Sequence, residues 1–337
     1  MKNQFKGITL AGNILADVVK SIDVYPKIGM LSSISKISKA VGGCVPNTAI
    51  DIAKIDPSLP LSVIGKVGDD DYGKFVLSQM QSYNIDTSSV LTCPDSPTSF
   101  SDVMSMPSGE RTFFHARGAN AKFGPDDIDV SSLDCKMFHI GYILLLDIFD
   151  MEDPEYGTVM ARFLKSVQER GIKTSVDCVS ESSGNYPKKI KPVLKYCDYI
   201  IFNEIECCNI WGIEPEDENG NLLIENIKKA MELTLNEGVK EKVIVHCKRA
   251  GFCLDKSGRF TTVPSLKIPK EDIKGSVGAG DAFCAASLYS IYNDFDDEKI
   301  LRFASAAAAC NLFAENSIDG MKSYDEILKV EDKYGRL

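Results

Sequence analysis

The stretch GSVGAGDAFCAASLYSIY, residues 275 to 292, places two glycines and an acid directly before an apolar run of small residues. Gly278 and Gly280 permit a tight turn and a close approach of a ligand to the backbone. The first N–H groups of a helix lack partners within the helix and carry partial positive charge, so this helix start predicts an anion site. Asp281 could take a hydroxyl proton while the amides hold the charge on a moving phosphoryl group. The alternative is that Asp281 only caps the helix.

A second motif could anchor the magnesium ion that phosphoryl transfer needs. The residues NEIE, 203 to 206, follow the apolar run DYIIF. Asn203 and Glu206 would then lie at the carboxyl edge of a sheet, where open α/β sheets bind their ligands. Glu206 is a candidate for a magnesium anchor that acts through water. The alternative is a helix start in which Asn203 is the cap and Glu206 closes a capping box.

Polar residues in the first 50 positions suit a polyhydroxylated substrate. In VGGCVPNTAIDIAKI, residues 41 to 55, Gly42 and Gly43 leave the backbone open to a ligand, and Asn47 begins a helical pattern. Asn13 and Asp17 flank the end of the first apolar run. Amide and carboxylate side chains at strand ends can engage sugar hydroxyls. Turn glycines and helix caps are the alternative interpretation of each residue taken singly.

These candidates lie between elements that alternate along the chain. Apolar runs predict strands buried on both faces of a parallel sheet, at 8–12, 61–67, 137–143, 173–178, 198–203 and 242–247. Apolar periodicity predicts helices at 47–55, 71–83, 155–170, 186–196, 222–238, 281–293 and 297–314. The alternation predicts an α/β fold with one doubly wound, mostly parallel sheet and helices on both faces.

Two regions break this alternation. Residues 14–40 alternate in polarity, and residues 97–118 contain PSGE, at 107–110, as a predicted hairpin turn. Both patterns predict exposed β-segments outside the main sheet, which together would form a small β-sheet lid. We therefore expect a single domain over residues 1–337, with the lid segments inserted in it.

One motif matches a phosphate loop in spacing only. The residues GDDDYGK, 68 to 74, satisfy G-x-x-x-x-G-K, but Phe75 stands where Ser or Thr would hold magnesium. Three consecutive aspartates would also repel a polyphosphate. A turn with its acids at the start of the next helix is the better interpretation.

Composition excludes several classes of protein. The formal net charge of -10 argues against a nucleic-acid binder, which needs basic surface to neutralise phosphates. No apolar run reaches the ~20 residues of a membrane span, and the first residues lack the pattern of a signal peptide. The eleven cysteines include no C-x-x-C pair, so we expect buried thiols in a reducing, cytoplasmic compartment.

Taken together and in order, these residues resemble the ribokinase-like, PfkB-type carbohydrate kinases. GGCVPNTA resembles the glycine-glycine segment of that family, and IGKVGDDDYG is similar to its G-x-D-x-x-G turn. GERTFFHARGANA looks like the end of its lid, and NEIE matches its N-x-x-E motif. GSVGAGDAF resembles its signature, commonly D-T-x-G-A-G-D-x-F. The resemblance spans nearly the whole chain and implies a ribokinase-like fold and phosphorylation of a sugar hydroxyl by ATP with Mg²⁺.

The resemblance also implies roles for individual residues. Those implied in catalysis, as base and anion hole, are Asp281, Gly278, Ala279 and Gly280. Those implied in sugar binding are Asn13, Asp17, Gly42, Gly43 and Asn47, with Arg111 or Arg117 from the lid. Those implied in ATP binding are Asn203, Glu206, His246, Lys248, Gly251 and Ser276, with Glu206 also holding Mg²⁺ through water. Lids in this family often pair between subunits, which implies a homodimer.

The chain departs from the family pattern at three places. Gly275 and Ser276 replace the aspartate and threonine of the signature. That aspartate helps to bind a monovalent cation in relatives, so the resemblance leaves potassium activation open. His246 and Lys248 stand where relatives often have threonine and glycine near ATP, and Cys44 replaces the lysine of a GGKG segment. The choice of sugar is therefore open as well.

Several functions remain compatible with the sequence. A sugar kinase is the first hypothesis, and a nucleoside kinase of the same fold is the second, for which Phe100, Phe113 and Phe114 could stack a base. A 2-keto-3-deoxy sugar acid kinase is a third, since a lid arginine could pair with a carboxylate. A non-catalytic sugar-binding protein is an alternative of another class, against which the presence of Asp281 argues.

Overall fold

A computed structural model describes residues 5–107, 110–181 and 184–337. The strands in that part of the chain are β1 (Ile8–Gly12), β2 (Leu15–Ile22), β3 (Ile34–Gly42), β4 (Leu61–Gly68), β5 (Asp86–Cys93), β6 (Ser99–Ser105), β7 (Arg111–Ala116), β8 (Met137–Ile143), β9 (Glu152–Asp153), β10 (Gly157–Thr158), β11 (Lys173–Cys178), β12 (Tyr199–Asn203), β13 (Lys242–His246), β14 (Ala250–Asp255) and β15 (Phe260–Pro264). The helices are α1 (Cys44–Ile55), α2 (Asp71–Ser82), α3 (Val159–Glu169), α4 (Tyr186–Leu194), α5 (Glu204–Asn209), α6 (Ile224–Asn236), α7 (Ala279–Tyr292), α8 (Asp297–Asn311) and α9 (Tyr324–Tyr334).

The main sheet has the strand order β15-β14-β13-β12-β11-β8-β1-β4-β5. The strands from β13 to β5 in this order pair in parallel, and β14 and β15 add an antiparallel edge. One apolar core packs α1, α7 and α8 on one face of the sheet. A second core packs α3, α4 and α6 on the other face. The predicted doubly wound α/β fold is thus confirmed.

The two irregular regions form one small sheet, which we call the lid. Its strand order is β3-β2-β6-β7, with β2 and β6 parallel and the outer pairs antiparallel. This confirms that residues 14–40 and 97–118 contribute β-segments outside the main sheet. The predicted PSGE turn includes Ser108 and Gly109, which lie outside the described residues. The extent of the domain at either end of the chain stays a prediction.

The sequence patterns missed the edge strands of the main sheet. Strand β5 is exposed along most of its length, so it lacks the continuous apolar run that marks a buried strand. Strands β14 and β15 form an antiparallel hairpin that the β-α alternation did not predict. The predicted helix start at 155 was early, because the short pair β9–β10 precedes α3 and the Thr158 side chain caps it through Ala161 N–H.

Three local features bear on the remaining sequence predictions. Asp70 caps α2 by accepting a hydrogen bond from Gly73 N–H at 2.9 Å, so the segment resembling a phosphate loop is a helix start. All eleven cysteines are free, and ten are buried. Within the described residues, no helix combines the length and the apolar character needed to cross a membrane.

A buried acid in α1 predicts a pH-dependent stability. Both carboxylate oxygens of Asp51 are buried without a hydrogen-bond partner among the described residues. Burial raises the pKa of this carboxyl well above its usual range, and the charge of Asp281 adds to the rise. The folded chain therefore holds a proton that the unfolded chain releases, so stability falls as pH rises above the usual range of a carboxyl.

We expect Asp51→Asn to remove this loss and to raise the Tm by at least about 2 °C at pH 8, with a smaller gain at pH 5. Thermal unfolding at the two pH values measures both gains. Asp69→Asn, at an exposed position, is the matched control and should change the stability by less than about 0.5 kcal/mol. An equal gain at both pH values, or a loss at pH 8, would contradict the expectation.

Candidate active site

The predicted site residues converge at the carboxyl edge of the main sheet. A cavity of about 250 Å³ opens there, at the start of α7. Its lining includes Asn203, Glu206, His246, Gly278, Gly280 and Asp281. An adjoining cavity of about 680 Å³ shares Asn203, His246 and Gly280 with the first and is largely apolar. A larger groove of about 710 Å³ lies at the opposite, amino edge and contains none of the predicted site residues.

Asp281 is buried in the first turn of α7 and accepts two hydrogen bonds. Asn47 Nδ2 donates to its Oδ2 at 2.8 Å, and the hydroxyl of Tyr142 donates to its Oδ1 at 2.5 Å. Burial raises the pKa of the Asp281 carboxyl to about 6, although both hydrogen bonds oppose the rise. The group is thus a carboxylate near neutral pH with a raised basicity, which suits a general base.

The backbone before Asp281 forms a tight, glycine-lined helix start. Gly278 has φ 78° and is the N-cap of α7. A Cβ at this position would lie 2.6 Å from Ser317 Cα, so only glycine fits the turn. The N–H of Ala279 already donates to the Ser276 carbonyl at 3.3 Å. Gly280 borders both cavities, so an anion held there would lie beside Asp281.

The predicted sugar-binding residues lie close to Asp281. Burial and the negative charge of Asp281 together raise the pKa of Asp17 to about 7. The two carboxyls are therefore close enough to interact electrostatically. A Cβ on Gly42 would lie 2.5 Å from Asp17 Oδ2. Gly43 has φ 87°, and a Cβ there would lie 2.5 Å from the Asn13 carbonyl oxygen. The Asp17 side chain therefore explains the glycine at position 42, and the Asn13 backbone explains the one at position 43.

Asn13 has a partner that the sequence patterns did not indicate. Its Oδ1 accepts a hydrogen bond from Asn120 Nδ2 at 3.1 Å, and Asn120 Oδ1 accepts one from Ile14 N–H. Asn13 Nδ2 is buried and has no partner among the described residues. A buried amide donor without a partner is costly, so it suits a ligand oxygen.

The two lid arginines differ in their positions. Arg111 Nη2 donates to the Glu315 carbonyl at 3.0 Å, and its charge lowers the pKa of Asp17, so it lies near the sugar-side residues. Arg117 instead forms an ion pair with Asp147 at 2.5 Å, and both side chains are more than two-fifths exposed. The structure therefore brings Arg111, rather than Arg117, toward Asp17.

Asn203 and Glu206 form the capping box that was the alternative interpretation of NEIE. Asn203 Oδ1 accepts from Glu206 N–H at 2.8 Å, and Glu206 Oε2 accepts from Asn203 N–H at 2.9 Å. The Ser180 hydroxyl donates to Glu206 Oε1 at 2.8 Å. Glu206 nevertheless lines the 250 Å³ cavity, and burial raises its pKa to about 8. A cap and a cation ligand are compatible here, because each carboxylate oxygen has a second lone pair.

The donor set around Glu206 fits Mg²⁺. Magnesium prefers hard oxygen ligands and keeps several waters, so one buried carboxylate with a neighbouring hydroxyl suffices as an anchor. A carboxyl whose pKa is raised by burial gains most from a nearby cation, which would favour its charged form.

The remaining predicted ATP residues divide between the cavities and the core. Lys248 and Ser276 line the 680 Å³ cavity, and His246 lines both cavities. The His246 ring lies 4.7 Å from the Phe283 ring, and burial lowers its pKa to about 4, so it is neutral. Gly251 is buried in β14 beside Phe283 and lines neither cavity, so the structure does not bring it to the site.

Sequence reasoning missed several side chains of the smaller cavity, among them Asp177, Tyr142 and Cys284. Asp177 lies at the carboxyl end of β11, and an acid at the end of a predicted strand was a signal for it. Tyr142 ends an apolar strand, and Cys284 sits in an apolar helix, so neither carried a signal. Only the packing of β8 and α7 against each other shows that Tyr142 and Cys284 line this cavity.

Comparisons with known proteins agree with this geometry. The sequence model of the pfkB family carbohydrate kinases matches residues 15–323. The chain is 26% identical over 325 residues to a ribokinase of Arabidopsis thaliana, covering 96% of this chain and 80% of the relative. It is 26% identical over 330 residues to fructokinase-1 of Zea mays, covering 93% and 95% of the two chains.

Solved structures share the fold. The structure of Arabidopsis thaliana ribokinase complexed with ribose and ATP superposes with a TM-score of 0.79 at 22% identity, covering 97% of this chain and 99% of that one. An Escherichia coli protein proposed to be a ribokinase II, in complex with ATP and Mg²⁺, has a TM-score of 0.78 at 19% identity, covering 98% and 100%. The expected ribokinase-like fold with its lid is confirmed.

Proposed function

The chain belongs to the pfkB family of carbohydrate kinases, and we propose that it transfers the γ-phosphate of ATP to a sugar hydroxyl with Asp281 as the base. The observation that carries this proposal is the position of Asp281. Its carboxylate is buried at a glycine-lined helix start and has a pKa raised to about 6. A hydroxyl group that lies against this carboxylate can give up its proton as the phosphoryl group arrives.

The backbone from Gly278 to Gly280 would hold the transferred phosphoryl group. The first N–H groups of a helix lack intrahelical partners, and the helix dipole adds positive charge at this end. The Ala279 N–H donates to the Ser276 carbonyl at 3.3 Å, so a bound phosphoryl group would have to replace that bond to use this donor. Because Gly280 borders both cavities, the phosphoryl group would lie between the ATP side and the base. Preorganised donors of this kind stabilise the charge that develops in the transition state.

ATP would occupy the 680 Å³ cavity with its phosphates toward Gly280. The apolar walls, which include Ile273, Phe283 and Leu312, suit a nucleobase, and Lys248 supplies a positive charge at the rim. Glu206 would hold Mg²⁺ through water beside Asn203. When bound, Mg²⁺ neutralises phosphate charge. The E. coli neighbour in complex with ATP and Mg²⁺ supports this assignment of the cofactor.

The sugar would lie on the opposite side of Asp281. Asn13, Asp17 and Asn47, with the open backbone of Gly42 and Gly43, offer donors and acceptors that suit hydroxyl groups. The positive charge of Arg111, a lid residue, lowers the pKa of Asp17, so this cation acts on the sugar-side residues and keeps a 2-keto-3-deoxy sugar acid as a second candidate substrate. A nucleoside stays an alternative substrate: the Phe100 ring packs on Tyr72 at 5.6 Å, whereas Phe113 and Phe114 are exposed.

An ADP-release screen tests the proposed function. Sugars, sugar phosphates, 2-keto-3-deoxy sugar acids and nucleosides are each offered with ATP and Mg²⁺, with and without potassium. Release of ADP on a neutral sugar supports the proposal, and release on a sugar acid alone supports the second candidate. No ADP above background on any acceptor would overturn catalysis and favour the non-catalytic sugar-binding alternative. The comparison of rates with and without potassium decides whether a monovalent cation activates the reaction, which Gly275 leaves open.

The hydrogen bond from Tyr142 affects the pKa of Asp281 and leads to a prediction for the pH profile of the reaction. Its hydrogen bond lowers the pKa of Asp281, so Tyr142→Phe should raise that pKa. The base is active only when ionised, and the acidic limb of kcat/KM should therefore move from near pH 6 to higher pH, by about one unit for one charged hydrogen bond.

Tyr83→Phe, at the distant end of α2, is the matched control for this change and should leave the limb where it is. The measurement is kcat/KM between pH 5 and 8 for the wild type and both variants. A Tyr142→Phe profile that superposes on the wild type would refute the role assigned to this hydroxyl.

The lid would pair two chains in a homodimer. Exposed apolar side chains cluster on β3 and the segment before it, namely Val24, Tyr25, Ile28, Met30, Leu31, Ile34 and Ile37. Exposed apolar clusters of this kind mark interaction surfaces. Light scattering should give twice the 37.0 kDa chain mass, and Leu31→Lys should shift it toward the monomer. A monomeric wild type at the concentration of the assay would refute the dimer.

A further inference from the structure

Three buried side chains that the proposed reaction does not use lie against one another, and two of them line the smaller cavity. They are His139 in β8, Asp177 in β11 and Cys284 in α7. One ligand atom from each, Nε2, Oδ1 and Sγ, lies within 4.8 Å of the other two. The three residues are distant in the sequence and come from three elements, so no motif marks them.

The two distances from His139 Nε2 to the other ligand atoms are close to those between the ligands of a tetrahedral metal site. His139 Nε2 lies 3.7 Å from Asp177 Oδ1 and 3.8 Å from Cys284 Sγ. Zinc bonds of about 2.0 to 2.3 Å at tetrahedral angles place N and O ligands about 3.4 Å apart, and N and S ligands about 3.6 Å apart. Movements of a few tenths of an ångström would therefore bring both pairs that include His139 to the spacing of two ligands on one ion. The Asp177 oxygen and Cys284 Sγ, which lie within 4.8 Å of each other, would approach by at most about 1 Å.

Hydrogen bonds orient the side chains of the cluster, and the contact between Cys284 Sγ and His139 Nε2 is one that metal binding would replace. His139 Nδ1 lies 3.1 Å from the Ser175 hydroxyl, an outer partner of the kind that orients a metal-binding histidine. With Nδ1 so engaged, Nε2 faces Asp177 and Cys284. Asp177 Oδ1 is buried and has no hydrogen-bond partner among the described residues. A buried carboxylate oxygen without a hydrogen-bond partner is energetically unfavourable. A cation bound between this oxygen, the imidazole nitrogen and the thiol would supply the missing partner.

We propose that His139, Asp177 and Cys284 form a binding site for a divalent transition-metal ion of the Zn²⁺ class. Imidazole and thiolate are ligands of zinc and its neighbours, whereas Mg²⁺ prefers oxygen. One carboxylate and one thiolate balance the two positive charges of the ion. On binding, the Sγ–H bond of Cys284 breaks, the sulfur forms the bond to the metal, and the proton leaves to solvent.

The cavity supplies the entry path and the fourth position. Asp177 and Cys284 line the same 250 Å³ cavity as Asp281, so an ion can enter from the substrate side and keep a water ligand that faces the cavity. The site is thus distinct from the Glu206 anchor in its ligands, although the two share one cavity.

Cobalt titration of the full-length protein tests the proposal without any measurement of turnover. The chain is stripped with a chelator, and Co²⁺ is added while the thiolate-to-cobalt charge-transfer band in the near ultraviolet is recorded. We expect one Co²⁺ per chain with this band, and its loss when one equivalent of Zn²⁺ is added. Cys284→Ser should abolish the band, and His139→Gln should weaken Co²⁺ binding by at least about tenfold.

Cys178→Ser is the matched control, because Cys178 is also a buried thiol that lines this cavity but is not part of the cluster. It should retain the band. Thermal unfolding establishes that each variant is folded. Should Cys284→Ser fail to fold, X-ray absorption of the zinc-loaded wild type decides the matter through one sulfur at about 2.3 Å and N or O ligands at about 2.0 Å.

Three outcomes would overturn the proposal. The first is a wild type without the charge-transfer band or without a sulfur neighbour of the bound zinc. The second is a band that persists in Cys284→Ser or disappears in Cys178→Ser. The third is displacement of Co²⁺ by excess Mg²⁺, which would show that Asp177 serves a hard-ion site instead.

Discussion

Asp281→Asn is expected to lower kcat by at least about a thousandfold while the affinity for the sugar stays within about tenfold. The amide keeps the size of the carboxylate and can still meet Tyr142 and Asn47, which hydrogen-bond the two oxygens in the wild type. It cannot accept the proton of the substrate hydroxyl, so the loss falls on the transition state rather than on binding. Steady-state kinetics and a binding titration with the sugar measure the two quantities separately.

Asp51→Asn is the matched control for this experiment. Asp51 is also a buried carboxyl, in the adjacent helix α1, and it takes no part in the proposed reaction. It should retain turnover, so a loss in both variants would point to a general effect of removing buried acids. Near-normal turnover of Asp281→Asn would rule out its role as the base.

Gly278→Ala is expected to lower kcat by about a hundredfold, the effect of losing one preorganised donor of an anion hole. The residue has φ 78°, a conformation that is unfavourable for alanine. Its Cβ would lie 2.5 Å from Ser317 Cβ and 2.6 Å from Ser317 Cα. Because backbone cannot move aside cheaply, the start of α7 must shift, and the N–H groups beside Asp281 would shift with it. The measurement is kcat at saturating ATP and Mg²⁺.

Gly258→Ala separates the backbone strain from the displacement of the helix start. Gly258 has φ 84°, and a Cβ there would meet nothing within 4 Å. The variant should lose about 1 kcal/mol of stability and keep its turnover. If both glycine variants lose turnover equally, or if neither does, the anion-hole assignment is wrong.

Much of the fold and of the site could be predicted from local patterns. Apolar runs located six strands of the parallel sheet to within a residue of their observed ends, because strands buried on both faces must be apolar throughout. The glycines before Asp281 and the motif at Asn203 and Glu206 could be predicted for a similar reason. A helix start imposes its requirements on residues that are adjacent in the chain.

The edge strands of the main sheet could not be predicted from local patterns in this way. Strand β5 exposes most of its side chains, and β14 and β15 lie beyond the parallel strands as an antiparallel hairpin. An exposed strand needs no continuous apolar run, so its sequence resembles a loop. The choice between Arg111 and Arg117 also depended on where the lid lies against the main sheet.

Local sequence patterns were sufficient to identify the family and the doubly wound fold. They also predicted Asp281 as the base and a glycine-lined anion site, since each of these depends on neighbours in the chain. Only the tertiary structure brought Tyr142 to Asp281, across 139 positions of sequence. It alone joined His139, Asp177 and Cys284 as well. The physical reason is that such contacts depend on the order of strands and on which helix packs over them. An apolar strand or helix has the same local pattern whichever neighbour it receives.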